Sequence, residues 1–385
     1  MEDQLDAQQR EFRQLIRDFT DREVRPVARE MEQSGTYPTE IVEKMAAMGL
    51  FGLTVPTEWG GLGVDTVTLA LVFEELSRGW MGIAGMIGSH GMACKLIAVH
   101  GTEEQKARHL RSLASGERRS GLALTEPDAG SDLQGIKTRA VRDGDEYVVS
   151  GTKTWITNAR HADPLPLLVK TDPDASPSHR GMSILLVSAD TSGMTITRDL
   201  GKLGYKGPET CEVVFDEARV PVGDLLGGVE GTGMSQAISG LQTGRVNIAA
   251  RAVGVAHRAL EEALSYSGDR EAFGRPIGEF QAVQLKLADM ATKVQAARSL
   301  TWWAARRLDS GHDAATESAM AKLFASEVAL EASLESMRVH GGYGYSTEFE
   351  VERLYRDAPL MAIGEGTNDI LRTVIAKGLR SQGIP

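Results

Sequence analysis

Polar residues in the stretch Ala123 to Leu133 (ALTEPDAGSDL) could bind a ligand. Thr125 and Ser131 supply hydroxyl groups, and Gly130 lets a ligand approach the backbone closely. Hydroxyl and backbone N–H donors of this kind suit a phosphate group or the edge of a heteroaromatic ring. An ordinary turn with an Asx cap accounts for the same residues at least as well.

A second stretch, Gly151 to Arg160 (GTKTWITNAR), contains Trp155 and Thr157 about twenty residues further on. A tryptophan beside a strand is usually part of the hydrophobic core. Trp155 could instead form the wall of a site for a planar cofactor, with Thr157 as a polar contact. The residues alone leave both interpretations open.

Glu365 is the third candidate, and it lies in the apolar context MAIGEG with a glycine on each side. The commonest position for a glutamate is a solvated loop, whereas this context fits a carboxylate that points into a pocket. Burial disfavours the charged form of a carboxylate and raises its pKa toward neutrality. Such a group can act as a base toward a weakly acidic proton.

Several familiar ligand-binding signatures are missing from the 385 residues. The sequence has no P-loop GxxxxGK[ST], no GxGxxG between a strand and a helix, and no HExxH. Its two cysteines, Cys94 and Cys211, stand in no metal or redox spacing. We therefore expect no bound metal and no Rossmann nucleotide fold.

The charge and the apolar stretches bear on partners and location. The formal net charge of −11 disfavours a nucleic-acid partner, because nucleic-acid-binding domains are usually basic. The N-terminal MEDQLDAQQREF has neither the apolar region of a signal peptide nor a transit pattern. The least charged stretch, Gly79 to Cys94, is short for a membrane span and is broken by glycines and His90. We expect a cytoplasmic protein that binds neither nucleic acid nor membrane.

The elements that must position these residues change in type along the chain. Residues 1–120 have a helical pattern, including a capping box at Thr102 to Gln105. Residues 121–228 contain short β-like runs such as EYVVSG and MSILLV, punctuated by Gly, Asp and Pro. Residues 229–385 are helical again. Within them we predict helices at about 234–266, 280–309, 314–338 and 367–380.

These patterns predict a mainly α-helical protein with a β middle domain. The expected order is an N-terminal helical domain (1–120), a small β-barrel or sandwich domain (121–228) and a C-terminal four-helix bundle (229–385). The candidate binding stretches fall at the start of the β domain, and Glu365 falls near the end of the bundle.

Five motifs in register make the chain resemble the acyl-CoA dehydrogenase family. They are LTEPDAGSD, GTKTWITNA, DREAFGRPIGEFQ, HGGYGY and YRDAPLMAIGEGTNDILR. One such motif would be weak, but together they span essentially the whole chain in the family's order and spacing. The family's arrangement of α-helical, β and α-helical domains agrees with the pattern above.

The resemblance implies FAD as the cofactor and assigns residues to it. Within one subunit the implied flavin contacts are Leu122, Leu124, Thr125, Gly130, Ser131, Trp155, Ile156, Thr157, Thr367 and Asp369. The implied contacts to the FAD of a neighbouring subunit are Arg270, Phe273, Phe280, Gln281, Arg338, Gly341 and Gly342. A homo-oligomer is therefore expected, a tetramer or else a dimer.

The resemblance also makes Glu365 the catalytic base that removes the α-proton of an acyl-CoA thioester. The β-hydrogen then leaves as hydride to flavin N5, giving the trans-2-enoyl-CoA. In one branch of the family the base lies on a bundle helix just before an Arg, where this chain has Gly244 before Arg245. Glycine cannot act as a base, so Glu365 has no competitor.

The implied substrate contacts are Ser131, Gln242, Arg245 and Gly366. The chain departs from the family at Gln242, where an acid or another amide is common, and at Arg338, where Gln is common. Arg338 could pair with the FAD pyrophosphate or could simply be exposed. Gly364 replaces a frequent aromatic residue, and we expect this to widen the acyl pocket.

The expected partners are an acyl-CoA substrate and an electron-transferring flavoprotein as electron acceptor. An acyl-CoA oxidase that uses dioxygen is an alternative, because the sequence does not show how the flavin is reoxidised. A non-catalytic binder of flavin or CoA, or a DNA-associated protein of the same fold, is a second alternative. The intact Glu365 and the acidic charge argue against that second alternative.

Overall fold

Within residues 4–383, which the computed structural model describes, helices come first in the chain. The α-helices before residue 120 are α1 (Ala7–Phe19), α2 (Arg25–Ser34), α3 (Thr39–Ala47), α4 (Thr66–His100) and α5 (Glu103–Ala114). A π-helical turn at Thr20–Val24 joins α1 to α2. The capping box predicted at Thr102 to Gln105 is present at the start of α5.

Helix α4 is the central helix of this region. Its backbone is interrupted at Trp80, which has φ −156° and ψ 106°. By length and composition this is the one described helix that could cross a membrane, but 72% of its most apolar window is buried inside the protein. Most residues of α4 are themselves buried, as expected for a helix in the protein core.

The middle of the chain forms a six-stranded sheet, with the strands in the order β4-β3-β1-β2-β6-β5. The strands are β1 (Arg139–Asp143), β2 (Glu146–Thr157), β3 (Leu165–Lys170), β4 (Met182–Val187), β5 (Met194–Asp199) and β6 (Thr210–Pro221). All neighbouring strands pair antiparallel except β1 and β3. The predicted β-like runs EYVVSG and MSILLV lie in β2 and β4.

The C-terminal part is again helical. Its elements are α6 (Gly233–Asp269), the short strands β7 (Glu271–Ala272) and β8 (Arg275–Pro276), then α7 (Gln281–Asp309), α8 (Ala315–His340), α9 (Val351–Ile363) and α10 (Asn368–Gln382). The mainly α-helical fold with a β middle domain is confirmed. The sequence pattern missed α9, which contains Pro359, a residue that usually ends a helix.

Glycines let α4 and α6 pack closely at the centre of the molecule. A Cβ on Gly88 of α4 would lie 2.4 Å from Asn247 Nδ2, and one on Gly254 of α6 would lie 2.3 Å from the carbonyl oxygen of Glu74. Neither position can carry a side chain without a shift. This close packing brings α6 beside the segment that carries Glu365.

Candidate active site

A buried ion pair fixes the stretch 122–131 against β2. Lys153 Nζ donates to Glu126 Oε1 at 2.8 Å and to the carbonyl oxygen of Leu124 at 3.0 Å. Glu126 also accepts from the backbone N–H groups of Lys137 and Thr138. Burial lowers the pKa of Lys153 to about 8, although Glu126 opposes this shift. This ion pair therefore holds the LTEPDAGSD and GTKTWITNA motifs against each other.

A backbone hydrogen bond also brings predicted flavin contacts of the two stretches close together. The backbone N–H of Thr154 donates to the carbonyl oxygen of Thr125 at 2.9 Å. Gly130 and Ser131 are exposed at the turn that follows. A Cβ on Gly130 would touch only a methyl group of Thr125, at 3.9 Å, so this face of the turn is open.

Trp155 lies at an irregularity of the sheet. The register between β2 and β6 shifts between Lys153 and Ile156, and Trp155 has φ +61°. A left-handed backbone is rare for a bulky residue and is found most often at functional sites. The indole is 58% exposed, while Ile156 is buried. Trp155 is therefore not a core residue, and the question that the sequence left open is settled against the core.

Asn158 and Tyr205 join this edge of the sheet to the helices. Asn158 Nδ2 donates to the carbonyl oxygens of Met86 at 2.9 Å and Ser120 at 3.1 Å. Tyr205 is buried; burial raises the pKa of its phenol, and the side chain of Thr157 partly opposes this shift. A Cβ on Gly85 of α4 would lie 2.1 Å from the Tyr205 hydroxyl, so this glycine makes room for the phenol.

Glu365 follows α9 and adopts φ +53°. This left-handed backbone is strained for a glutamate, and the flanking glycines ease the turn. The residue as a whole is partly exposed, but its Oε2 atom is buried and has no hydrogen-bond partner in the described part of the chain. The carboxylate thus points inward, as the sequence context suggested.

Burial raises the pKa of Glu365 to about 7. Three cations oppose this shift, namely Arg251, Lys322 and Arg245. Arg251 also stacks over the Tyr205 ring, with 5.2 Å between the guanidinium carbon and the ring centroid. A carboxylate with a pKa near neutrality is well matched to proton abstraction at physiological pH.

Lys322 on α8 holds the segment that follows Glu365. Its Nζ atom donates to the carbonyl oxygen of Gly366 at 2.7 Å and to Asn368 Oδ1 at 3.0 Å. The side chain is fully buried, and burial lowers its pKa to about 8 while Glu365 raises it. Asn368 is fixed in turn by Ser326. Lys322 therefore positions the backbone beside Glu365.

Gly244 on α6 faces the Glu365 carboxylate directly. A Cβ on Gly244 would lie 2.1 Å from Glu365 Oε2 and 3.1 Å from Met92 Sδ. The next residue, Arg245, has a buried Nε atom without a hydrogen-bond partner among the described residues. Burial lowers the pKa of Arg245, and Glu365 opposes that shift. The structure thus brings Glu365, Gly244 and Arg245 together.

Gln242 is engaged elsewhere. Its Nε2 donates to Asp313 Oδ1 at 2.8 Å, and its Oε1 accepts from the backbone N–H of Ala314 at 3.2 Å. These bonds tie α6 to the start of α8. In this arrangement the amide is used within the chain, so its predicted contact with substrate needs a rearrangement.

A cavity lies between α4 and α6 and reaches Gly244. Four of its lining residues are helical glycines, and much of the rest is apolar. The lining consists of Leu50, Phe51, Leu53, Thr54, Leu69, Phe73, Ile87, Gly88, Gly91, Met92, Lys95, Gly240, Thr243, Gly244 and Asn247. Among the described residues that line it, Gly364 does not appear. A Cβ there would face the carbonyl oxygen of Leu360 at 3.3 Å, so the expected widening at Gly364 finds no support in this geometry.

A second group of predicted residues lies at the other end of α6. Phe273 is 96% exposed with φ +53°, and its ring contacts Phe280. Arg270, Gln281, Gly341 and Gly342 are exposed, and a groove is lined by Arg270 and the two glycines. Across residues 4–383, no hydrogen bond or ring contact joins this group to the stretch 122–131.

The remaining predicted contacts to FAD and substrate lie in different environments. Thr367 caps α10, its hydroxyl accepting from the N–H of Ile370 at 3.3 Å. Asp369 points to solvent and pairs with Arg372. Arg338 is exposed and pairs with Glu335. Gly366 adjoins Glu365, and its carbonyl oxygen is taken by Lys322.

Sequence reasoning missed the residues that hold the site together. Arg251, Lys322, Tyr205 and Asn158 were not singled out, because each acts across long sequence distances. Lys153 stands inside the GTKTWITNA motif, and Glu126 inside LTEPDAGSD, so their co-occurrence was the one available signal.

Comparison with known proteins matches every part of this architecture. The N-terminal, middle and C-terminal domain models of acyl-CoA dehydrogenase match residues 6–117, 121–218 and 231–380. The chain belongs to the acyl-CoA dehydrogenase family. It is accordingly an oxidoreductase that acts on acyl-CoA, in a family whose members are FAD flavoproteins.

Individual relatives cover almost the full length. The probable acyl-CoA dehydrogenase YngJ of Bacillus subtilis is 43% identical over 98% of this chain and 99% of its own. The caffeyl-CoA reductase-Etf complex subunit CarC of Acetobacterium woodii is 38% identical over 96% and 97%. The structure of butyryl-CoA dehydrogenase from Megasphaera elsdenii has a TM-score of 0.94 and 34% identity over 98% and 99%.

The residues present fit the FAD of this family. The indole of Trp155 is exposed beside the partly buried Thr157, which suits the wall and edge of a planar ring. Gly130 and Ser131 are both exposed, and a Cβ on Gly130 would touch only a methyl group of Thr125, so the backbone of this turn is open to a ligand. Besides the effect of burial, Thr157 lowers and Glu365 raises the pKa of Tyr205, so the phenol lies near both. Within the described part of the chain, Glu365 Oε2 is buried and has no hydrogen-bond partner.

The pH dependence of flavin reduction should report the pKa of Glu365. Because the base must be deprotonated, kcat/KM should rise with pH and reach half its maximum near pH 7. Stopped-flow reduction from pH 5.5 to 9 measures this. A profile that is flat across this range would show that no group with a pKa near 7 removes the proton.

Replacing Lys322 with methionine sharpens this measurement. Lys322 lowers the pKa of Glu365, so its removal should move the midpoint to higher pH. Lys293→Met is the matched control, because Lys293 pairs with Glu331 at the surface. An unshifted midpoint in Lys322→Met, with the maximum rate lowered, would assign Lys322 to backbone support alone.

Proposed function

We propose that the protein is an FAD-dependent acyl-CoA dehydrogenase that converts an acyl-CoA thioester into its trans-2-enoyl-CoA, with Glu365 as the base. The observation that carries this proposal is the buried Oε2 atom of Glu365, which has no hydrogen-bond partner within residues 4–383 and whose carboxyl has its pKa raised to about 7 by burial. A solvated or salt-bridged glutamate would be charged but would be a weaker base.

The chain's own residues account for the proton transfer. Glu365 takes the α-proton of the thioester, which is a poor acid. The nearby cations Arg251, Lys322 and Arg245 keep part of the Glu365 population ionised at neutral pH, since without them burial alone would raise its pKa further. Lys322 and the strained backbone fix the direction of the carboxylate. The flavin, when bound, accepts the β-hydride.

The backbone at Glu365 offers a donor for the thioester oxygen. In the part of the chain described, the N–H of Glu365 donates to no acceptor, whereas the N–H of Gly364 is used by Leu360. A free N–H beside the base can stabilise negative charge that develops on the carbonyl oxygen as the proton leaves. Arg245 would hold the CoA side of the ligand.

The proposal extends to partners. An electron-transferring flavoprotein is proposed as electron acceptor, in keeping with the Etf complex named for the CarC relative. A homo-oligomer is proposed because Phe273, Arg270 and Gln281 form an exposed group distant from the chain's own site. In the proposed oligomer a neighbouring subunit covers Phe273, which is 96% exposed.

Anaerobic titration tests the proposed function. The purified protein should bind about one FAD per chain, as expected from the single set of motifs, and a saturated acyl-CoA should bleach the flavin band. A panel from butyryl- to octanoyl-CoA provides the substrates. A flavin that no saturated acyl-CoA reduces, while an enoyl-CoA oxidises its dithionite-reduced form, would reverse the proposed direction. A protein that takes up no FAD would refute the proposal.

A further inference from the structure

The cavity between α4 and α6 contains a cation that the proposed reaction does not use. Lys95 of α4 lines this cavity, and its Nζ atom hydrogen-bonds to Thr243 Oγ1 at 2.5 Å. No carboxylate among the described residues forms an ion pair with it. Lys95 is partly buried, and even partial burial of an ammonium group without an anionic partner is unfavourable.

The charged neighbours of Lys95 do not relieve this cost. Burial lowers its pKa, and Asp309 is the one carboxylate that opposes this shift appreciably. Asp309 is occupied at the start of α4, where it accepts from the backbone N–H groups of Thr66 and Val67. Lys95 does not shift the pKa of Glu365 appreciably, so it does not assist the catalytic base.

The contacts of Lys95 set an upper limit on the distance between its Nζ atom and the carboxylate of the base, Glu365. Thr243 precedes Gly244, whose Cβ position is 2.1 Å from Glu365 Oε2. With about 3.8 Å between adjacent Cα atoms, Lys95 Nζ lies no more than roughly 12 Å from that oxygen. Both Lys95 and Gly244 line the cavity, together with Gly240 and Met92.

The cavity also offers a second polar group. Asn247 Oδ1 is buried without a hydrogen-bond partner in the described chain. Apart from Asn247, Thr54, Lys95 and Thr243, the lining residues are apolar or glycine. The free space is narrow, about 20 Å³, so an acyl chain needs adaptable lining side chains, such as that of Met92, to move.

We infer that Lys95 determines substrate specificity by binding a carboxylate at the distal end of the acyl chain, so that the substrate is a dicarboxylyl-CoA of about four to six carbons. This inference rests on the proposed function, since it places the α-carbon at Glu365. A base meets its proton at about 3 Å, and an ammonium meets a carboxylate oxygen at about 2.8 Å. Subtracting both contacts from the upper limit of roughly 12 Å leaves at most about 6 Å, which an acyl chain of this length spans.

The experiment compares two acyl-CoAs of equal length, glutaryl-CoA and pentanoyl-CoA, with the holoenzyme. The wild-type kcat/KM should be higher for glutaryl-CoA. Lys95→Met should lower kcat/KM for glutaryl-CoA by about 10- to 100-fold, the loss expected for a hydrogen-bonded charge pair. The value for pentanoyl-CoA should stay unchanged or rise. Lys95→Arg should retain part of the preference, and Lys293→Met is the surface control.

The outcomes separate this inference from the proposed function. If pentanoyl-CoA reduces the flavin and glutaryl-CoA has no advantage, the specificity inference fails while the proposed function stands. An equal loss for both substrates in Lys95→Met would place Lys95 on the CoA moiety or in the fold, and would also overturn it. If neither these substrates nor the wider panel reduces the flavin, the proposed function itself fails.

Discussion

Replacing Glu365 with glutamine is expected to lower the rate of flavin reduction by about 10²- to 10⁴-fold, the usual contribution of a general base. The amide keeps the size of the carboxylate but cannot accept the α-proton. Acyl-CoA binding should survive, because the lost interaction belongs to the transition state. Rapid-mixing kinetics and equilibrium titration measure the two effects separately.

Glu43→Gln serves as the matched control, because Glu43 is an exposed residue of α3. It should reduce flavin at the wild-type rate. Unchanged reduction in Glu365→Gln would remove Glu365 from the mechanism. Loss of FAD from that variant would instead point to a structural role, and the FAD content of each preparation distinguishes the two cases.

The second large effect on activity is expected when the catalytic carboxylate is moved from residue 365 to residue 244 of α6. The Cβ position of Gly244 is 2.1 Å from Glu365 Oε2, so a carboxylate at residue 244 would occupy the same region. Gly244→Glu alone should abolish activity, because the two carboxylates collide. Glu365→Gly alone should also lose the base. The double variant should recover at least about tenfold over Glu365→Gly, although a base misplaced by about 1 Å loses roughly 100-fold.

The single variants are the controls for this exchange. Gly244→Ala, which adds only the clashing methyl group, separates steric displacement of Glu365 from the effect of a second charge. If the double variant stays at the level of Glu365→Gly while binding acyl-CoA and FAD normally, the two positions do not face the same α-carbon. Full activity in Glu365→Gly would contradict the mechanism as a whole.

The sequence predicted correctly those features that depend on residues close together along the chain. Helical periodicity and the capping box at Thr102 predicted real helices, and the apolar context of Glu365 predicted its inward carboxylate. The edge strand β5 escaped notice because its residues are only half buried.

The support of the site could not be predicted in the same way. Lys322 reaches Gly366 across 44 positions, and Asn158 reaches Met86 across 72. A buried lysine looks like a surface lysine in a single sequence, and nothing local marks its partner. The same holds for Lys95, whose partial burial and whose lack of a carboxylate partner among the described residues emerge only from the packing of α4 on α6.

The glycines of the cavity wall determine how this protein can diversify. A methyl group on Gly91 or Gly240 would meet its neighbours at 3.4 and 3.7 Å, which is ordinary contact, unlike at Gly88 or Gly244. Alanine at a helix interior is favoured over glycine by about 1 kcal/mol. Alanine at residues 91 and 240 should therefore make the cavity smaller and stabilise both helices, so that a narrower acyl range and a gain in stability arise from the same substitution.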